Sequence, residues 1–449
     1  MKAWLALVIW MGLNQSGAFA SENEFIYWGA GGEPDGETTI FDSGLRELSK
    51  ATLANSPRWG TTVFADGGHG VTQKIIRDEI RPVRTTGVGD ALHWDFSKNL
   101  LERRIQSGEL KEGDQIILVI DTHGGSRHEP AITHSIFTND NQPYLLDRLK
   151  RLTELAEKKG IRLGIVDLSC HSGNTLALAN SKTCVITAAG PDQYADNDFS
   201  ETFYRNLRRG KSLEDVFLES RDKNKTPSFP MISTPQGRVA NQLLYERFLP
   251  LSHWNTEDYK TPDLLARQLS REAACKQPPQ HMAELLRSIE EWKGRLGSLM
   301  PDTTELESRV KAYEDFRTEM IRKLKQWGLG SPQMNGRYSL GEIVGTPWDQ
   351  KLKELQPLID REQDSVRKAR LLGYLAIYRT AQKQKEELIR KRPQLRSFLA
   401  DYNNTLNKLQ MTSKFAEAIG VEERKLYQVI YRQESETAPR SNPCKDIQI

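Results

Sequence analysis

Two stretches decide the fold of this chain: Ile117–Gly125, which reads ILVIDTHGG, and Leu163–Gly173, which reads LGIVDLSCHSG. Each is a run of apolar, mostly β-branched residues that predicts a buried strand, and each ends in polar residues and glycine. The first run delivers His123 and the second delivers Cys170. Because ligands bind at the carboxyl ends of the strands in an open parallel sheet, the sequence predicts that both side chains face one crevice.

A cysteine and a histidine in one crevice are the parts of a cysteine nucleophile with its base. A free thiol has a pKa of about 8.5, so a cysteine that attacks acyl groups needs an imidazole or a positive field beside it. His123 could supply that imidazole. Gly124 lets the main chain approach a substrate closely, and the N–H groups of Gly124 and Cys170 could bind a developing oxyanion.

The pattern on either side of these stretches predicts a doubly wound α/β sheet, largely parallel and flanked by helices. Strand patterns alternate with helical patterns from Phe25 to about Ala189. Residues 131–137 alternate in polarity and precede Asn139-Asp140-Asn141, which predicts a hairpin above the sheet. After about Trp254 the strand patterns end, and apolar residues recur at steps of three and four. That spacing predicts a C-terminal all-α domain of antiparallel helices.

The two strand ends resemble a known family. A strand that ends in His-Gly, followed by one that ends in Cys with Ser-Gly two positions on, resembles the caspase-like cysteine peptidases of clan CD, which include caspases, legumains, gingipains and clostripain. The spacing between His123 and Cys170 is typical of that clan, and the segment Cys184–Ala195 is similar to the one that follows the catalytic cysteine in legumains. The resemblance covers roughly residues 25–251. It implies a caspase-like fold, cysteine endopeptidase activity on a protein or peptide substrate, and no metal or organic cofactor.

Carried over residue by residue, the resemblance implies that Cys170 is the nucleophile, His123 the general base or acid, and Gly124 an oxyanion-hole donor. One position departs from the legumain pattern. Leu168 stands two residues before the cysteine, where legumains have an acidic residue of their asparagine pocket. The resemblance therefore does not extend to asparagine specificity.

Three acidic residues are candidates for substrate binding. Asp192 and Asp196 lie in an acidic loop that is either a solvated turn or the lining of a pocket for Lys or Arg before the cleaved bond. Glu33 lies in the Gly-rich loop after the first predicted strand, and the resemblance implies that this loop borders the substrate cleft. His128, His134 and His171 lack the paired spacing of a zinc site, so the sequence predicts surface or rim histidines and no metal.

The N-terminus predicts export. Lys2 precedes the apolar stretch Ala3–Leu13, and Ala18-Phe19-Ala20 matches an A-x-A cleavage signal. We therefore expect a signal peptide at residues 1–20 that is cut after Ala20, and a secreted or periplasmic protein. The expected division of the chain is residues 1–20, a catalytic domain at 21–254 and a helical domain at 255–449.

An oxidising compartment would permit disulfides. Of the four cysteines, Cys170 is the nucleophile candidate and Cys184 lies in an apolar strand pattern, which predicts a buried free thiol. Cys275 and Cys444 lie outside the predicted catalytic domain, and they could pair.

Composition and charge limit the classes of partner that this chain is expected to bind. The chain has 449 residues, of which 27% are charged, with a formal net charge of +3. That charge gives no case for a nucleic-acid partner, and no second long apolar run predicts a transmembrane segment. Three functions stay open: a cysteine endopeptidase, a caspase-like pseudoenzyme or binding scaffold at the cell envelope, and a peptide ligase or transpeptidase on the same dyad. The helical domain could dock on the catalytic domain, either as an inhibitory cap or in a way that leaves the cleft open.

Overall fold

A computed structural model describes most of the α/β part of the chain and much of the helical part. The described residues are 23–31, 41–55, 59–66, 69–80, 83–127, 133–139, 142–191, 193–195, 197–224, 228–241, 244, 303–329, 340–363, 365–410, 424–425, 427–432 and 441–449. The expected signal peptide lies outside this range.

The described residues form two sheets. Their strands are β1 Asn23–Gly29, β2 Trp59–Asp66, β3 Val83–Val88, β4 Gln115–Asp121, β5 Gly124–Arg127, β6 Thr133–Phe137, β7 Pro143–Leu145, β8 Arg162–Asp167, β9 Thr183–Thr187 and β10 Met231–Ile232. Seven strands form one sheet in the order β10-β9-β8-β4-β1-β2-β3, in which only β10 is antiparallel to its neighbour. Strands β5, β6 and β7 form a small antiparallel sheet. The predicted α/β class with a largely parallel sheet is confirmed.

Helices cover both faces of the large sheet and make up the described part of the C-terminal half. They are α1 Asp42–Asn55, α2 Gly70–Lys74, α3 Ala91–Ser107, α4 Lys150–Lys158, α5 Asn197–Asn206, α6 Leu213–Lys223, α7 Thr303–Gln326, α8 Leu340–Gly345, α9 Trp348–Arg361, α10 Ser365–Lys391, α11 Leu395–Gln410 and α12 Pro443–Asp446. Helix α2 continues as a π-turn over Ile75–Glu79, and 3₁₀ turns span Leu146–Leu149 and Ser172–Leu178. Residues 235–241 and 427–432 are also helical.

The two faces of the large sheet carry two separate cores. Along β4, Ile117 and Val119 belong to one core while Ile116, Leu118 and Ile120 belong to the other, because successive side chains of a strand point to opposite faces. Helices α1, α5 and α6 cover the first core, and α3 and α4 cover the second. Every residue of β4 is buried as a result, which explains why Ile116–Ile120 is an unbroken apolar run.

Local sequence fixes the ends of the covering helices. Asp90 caps the first turn of α3, where its side chain accepts a hydrogen bond from the N–H of His93 at 2.8 Å. Ser212 and Asp215 form a capping box at the start of α6. These caps hold α3 and α6 on opposite faces of the sheet.

The end of the chain returns to the α/β part. Ile447 lies in the first core together with Tyr427, and the N–H of Gln448 donates to Oε1 of Gln115 at 2.8 Å. The N–H of Ile449 donates to the carbonyl of Lys211 at 2.9 Å. The expected helical domain at 255–449 therefore contains C-terminal residues that pack with the sheet instead.

Cys184 of β9 and Cys444 of α12 form a disulfide, with their Cα atoms 4.8 Å apart. The predicted pair of Cys275 with Cys444 is wrong, and so is the predicted free thiol at Cys184. The reason is that α12 packs against β8 and β9, which brings Cys444 to the fully buried Cys184. Cys275 lies outside the described residues.

The described helices of the C-terminal half pack in two clusters. Helices α9 and α10 share one apolar cluster, and α7, α8 and α11 share another. Tyr374 of α10 donates a hydrogen bond to the carbonyl of Asn139, which follows β6. None of the helices in the described part of the chain is long and apolar enough to cross a membrane.

Candidate active site

The strands that precede His123 and Cys170 are neighbours in the sheet and end at the same level. In the parallel pair β4 and β8, Ile120 lies opposite Asp167, and the N–H of Leu168 donates to the carbonyl of Ile120 at 2.8 Å. His123 and Cys170 each come three residues after this last pair. The two loops therefore leave the sheet at the same height, at its carboxyl edge.

Gly124 lies directly against the nucleophile loop. A Cβ atom at this position would come within 2.1 Å of the carbonyl oxygen of Cys170 and 2.7 Å of Oγ of Ser169. Real Cβ atoms do not approach backbone oxygens so closely, so any other residue would have to push the two loops apart. Glycine at position 124 is what allows the residue after His123 to touch Cys170.

The turn after Cys170 has a strained backbone and is held by a backbone hydrogen bond. His171 has a φ of 61°, in the left-handed region that residues with a side chain rarely adopt. Its N–H donates to the carbonyl of Gln193 at 2.7 Å. This backbone conformation and this hydrogen bond fix the direction in which the chain turns away from the cysteine.

The Ser-Gly pair that follows the cysteine has a structural role of its own. Oγ of Ser172 accepts from the N–H of Ala189 at 3.1 Å. At Gly173, a Cβ atom would lie 2.5 Å from the backbone nitrogen of Pro191. The motif therefore joins the nucleophile turn to the loop that follows β9.

A hairpin holds the main chain of His123. The carbonyl of His123 accepts from the N–H of Phe137 at 2.9 Å, and Oγ1 of Thr122 donates to the carbonyl of Phe137 at 2.6 Å. The ring of Phe41 packs edge-on to the imidazole, with centroids 5.5 Å apart. The hairpin that the sequence predicts above the sheet is present as β6 and β7.

Burial shifts the pKa values of both candidate residues. Burial raises the pKa of the Cys170 thiol above its ordinary value, and this outweighs the backbone N–H groups of Ala195 and Gly124, which lower it. His123 is open to solvent on one side, yet desolvation by the surrounding protein lowers its pKa. Both shifts favour the uncharged side chain, while the two N–H groups favour the charged thiolate.

Asp121, at the end of β4, lies beneath this edge of the sheet. Its Oδ2 accepts from the hydroxyl groups of Tyr27 at 3.0 Å and Tyr204 at 2.7 Å. Desolvation raises the pKa of Asp121 from 3.8 to about 6, although the two tyrosine hydrogen bonds oppose the shift. A buried carboxylate at this position costs stability at neutral pH.

We predict that Asp121→Asn stabilises the protein at neutral pH. Because the folded pKa is raised, the folded state holds a proton that the unfolded state has lost between about pH 4 and pH 6, so stability contributed by this group falls as the pH rises through that window. Removing the charge should raise the free energy of unfolding by about 2 kcal/mol at pH 7 and by nothing near pH 4. Urea denaturation at both pH values measures the difference, with the exposed Asp222→Asn as a control. A loss of stability at pH 7 would contradict the prediction.

Three of the residues predicted to bind substrate lie outside the described residues, and one predicted surface histidine is buried. Asp192, Asp196 and Glu33 lie outside the described residues, so their proposed contacts with substrate stay predictions. His134 is buried, not at the surface or rim as predicted, because β6 turns its side chain toward the end of β8.

Two elements of the site were not foreseen from the sequence. The backbone N–H of Ala195 lowers the pKa of the Cys170 thiol, and its only signal in the sequence is its place at the end of the legumain-like segment. Ser169 and His134 form a buried hydrogen bond across 35 positions, which no local pattern indicates.

Comparison with known proteins adds no family assignment. No protein-family model matches this chain, and no curated protein matches it. Within the described residues, no group of three or more His, Cys, Asp or Glu side chains is placed to hold a metal ion. The chemistry open to the site is therefore inferred from its own side chains and backbone groups.

Proposed function

We propose that this protein is a cysteine endopeptidase in which Cys170 attacks the peptide bond and His123 transfers the proton. The observation that carries the proposal is the contact between Gly124 and the Cys170 loop, which puts the residue after the histidine against the cysteine. The backbone N–H groups of Gly124 and Ala195, which lower the pKa of the Cys170 thiol, support it further.

The resting charge state suggests how the reaction proceeds. His123 accepts the thiol proton as the sulfur of Cys170 attacks the carbonyl carbon, because the lowered pKa of the imidazole keeps it free to act as a base. N–H groups at the strand ends, with Gly124 the leading candidate, stabilise the oxyanion of the tetrahedral intermediate. The imidazolium then protonates the leaving amine, and water hydrolyses the thioester to release the acid.

We also propose that the α/β part is caspase-like. A central parallel sheet with helices on both faces and an antiparallel hairpin after the histidine strand supports this. The disulfide between Cys184 and Cys444 supports an oxidising compartment, in line with the export that residues 1–20 predict. The contact of Tyr374 with Asn139 supports docking of the helices beside the hairpin. A preference for Lys or Arg before the cleaved bond rests on Asp192 and Asp196 and stays a prediction.

The proposal is tested by trapping the nucleophile. A peptidyl acyloxymethyl ketone should alkylate Cys170 with loss of its carboxylate leaving group, and mass spectrometry of the digested protein should locate the adduct on that residue. A fluorogenic peptide library should be cleaved by the untreated protein and not by the labelled one. Adding an amine nucleophile to the cleavage reaction distinguishes hydrolysis from peptide ligation, since a ligase would transfer the acyl group to the amine.

A folded protein that neither reacts with the ketone at Cys170 nor cleaves any library peptide would contradict the proposal. That outcome would favour the pseudoenzyme or scaffold function instead.

A further inference from the structure

A buried polar cluster lies beneath the nucleophile loop. Nε2 of His134 is 3.0 Å from Oγ of Ser169 and 3.1 Å from Oδ2 of Asp167. Asp167 also accepts from the N–H of Ser169 at 3.0 Å, from its hydroxyl at 2.6 Å, and from the hydroxyl of Thr175 at 2.5 Å. The side chains of His134 and Asp167 are 2% and 0% exposed, so water does not reach the cluster.

This cluster contains Ser, His and Asp but cannot work as a catalytic triad. In a triad the carboxylate holds one ring nitrogen and the serine uses the other. Here Asp167 and Ser169 share the same nitrogen of His134, and Ser169 is itself buried. The hydroxyl of Ser169 already donates to Asp167, which leaves no route to a substrate.

The hydrogen-bond pattern fixes the tautomer of His134. Because the Ser169 hydroxyl donates to Asp167, its oxygen must accept from the imidazole, and Asp167 can only accept. Nε2 therefore carries the hydrogen. Among the described residues, Nδ1 of His134 is buried with no hydrogen-bond partner. The polar contacts that this imidazole makes in the described part of the chain are therefore those of Nε2.

The cluster connects the two loops that carry the proposed dyad. Ser169 directly precedes Cys170, and Asp167 is the last residue of β8. His134 belongs to β6, whose final residue, Phe137, holds the carbonyl of His123. A shift of the Ser169 side chain would therefore be passed to Cys170 on one side and to the His123 hairpin on the other.

We propose that His134, acting through Ser169 and Asp167, is a positioning residue that holds the Cys170 loop in register with the His123 loop. This inference rests on the proposed cysteine peptidase function. His134 touches neither substrate nor the reacting sulfur in this scheme. Its effect is on where the thiol lies relative to the imidazole and to the backbone N–H groups at Gly124 and Ala195.

The test compares His134→Leu, Ser169→Ala and His134→Gln in the full-length protein. Leu removes the Nε2 donor, Ala removes the hydroxyl that receives it, and Gln offers a side-chain N–H that can replace Nε2. We expect kcat to fall about 10- to 100-fold in the first two variants, with KM changed less than about threefold, because small misplacements of reacting groups have costs of this size. His134→Gln should recover most of the lost rate.

A second readout follows the thiol without any peptide substrate. The rate at which iodoacetamide alkylates Cys170, followed on the Cys170 peptide by mass spectrometry across a pH series, should fall in His134→Leu and Ser169→Ala, with its midpoint moved to higher pH. The matched control is Ser220→Ala, which removes a buried hydroxyl that donates to Val216 at 2.6 Å on helix α6. The control should lower the melting temperature and leave both kcat and the alkylation profile unchanged.

The outcomes separate this inference from the proposed function. If the wild-type protein cleaves no peptide, the endopeptidase proposal fails, while the alkylation profile still decides whether the cluster positions the thiol. Folded His134→Leu and Ser169→Ala with alkylation profiles and, where measurable, kcat values within twofold of wild type would overturn the inference. Should His134→Leu not fold, Ser169→Ala alone decides it. An equal loss of kcat or alkylation rate in Ser220→Ala would also overturn the inference, because the effect would then be general loosening of the fold.

Discussion

Cys170→Ala and His123→Ala should each reduce peptide cleavage by at least about 10³-fold while the protein stays folded. In the proposed mechanism the sulfur of Cys170 forms the acyl bond, so alanine at this position removes the nucleophile. Without the imidazole, the proposed mechanism has no group that accepts the thiol proton, and burial raises the pKa of that thiol. The double variant should lose no more than either single variant, because nucleophile and base act as one unit.

The measurement is the rate of hydrolysis of the best library peptide, with near-ultraviolet circular dichroism and melting temperature as checks on folding. His93→Ala is a suitable control, because His93 is a partly exposed histidine that pairs with Asp90 on helix α3 and has no role in the proposed mechanism. It should keep wild-type activity. Near-native cleavage by either dyad variant would show that the assignment of the nucleophile or base is wrong.

The central strands could be predicted from the sequence because a strand that is buried on both faces needs apolar residues along its interior. Strand β4 has neighbours on both sides and a core on both faces, so its interior residues are all apolar, and the strand that this run predicts is present at Gln115–Asp121. Strand β3, Val83–Val88, was not predicted. It lies at the edge of the sheet with Arg84, Thr85 and Thr86 exposed, so its sequence shows no apolar run.

The placement of His123 and Cys170 at one edge of the sheet could be predicted as well, since both follow parallel neighbouring strands that end at the same level. The cluster below it could not. His134 reaches Ser169 only because the hairpin folds back over the end of β8, a tertiary contact that leaves no periodic trace in the sequence. Helix α9 was missed as well. It contains Pro357, which ordinarily ends a helix, yet Leu355 and Ile359 on either side are buried in the cluster shared with α10.

The disulfide shows where inference from local pattern stops. An apolar strand accommodates a free thiol and a buried disulfide equally well, so the surroundings of Cys184 could not distinguish them. The deciding fact is that the last residues of the chain return to β9 across a separation of 260 residues. Only the tertiary structure contains that fact.

Loss of the bond between Cys184 and Cys444 should therefore destabilise the α/β part strongly. A cross-link over 260 residues restricts the unfolded chain over most of its length, which by chain entropy contributes roughly 5 kcal/mol, or less if the reduced chain retains structure. We expect Cys184→Ala/Cys444→Ala, and wild type in dithiothreitol, to unfold at a markedly lower urea concentration. The residues after Asn442 should then become accessible to protease, because their packing on β8 and β9 is no longer tied covalently.

Cys275→Ser provides the matched control, since it removes the cysteine that the sequence pairs with Cys444. It should unfold at the wild-type urea concentration when oxidised and show the same loss as wild type on reduction. Mass spectrometry of unreduced peptides should recover Cys184 linked to Cys444. A peptide that links Cys275 to Cys444 would restore the pairing suggested by sequence alone. In that case Cys275→Ser, and not Cys184→Ala, would carry the loss of stability, so the two pairings differ in which single substitution destabilises the protein.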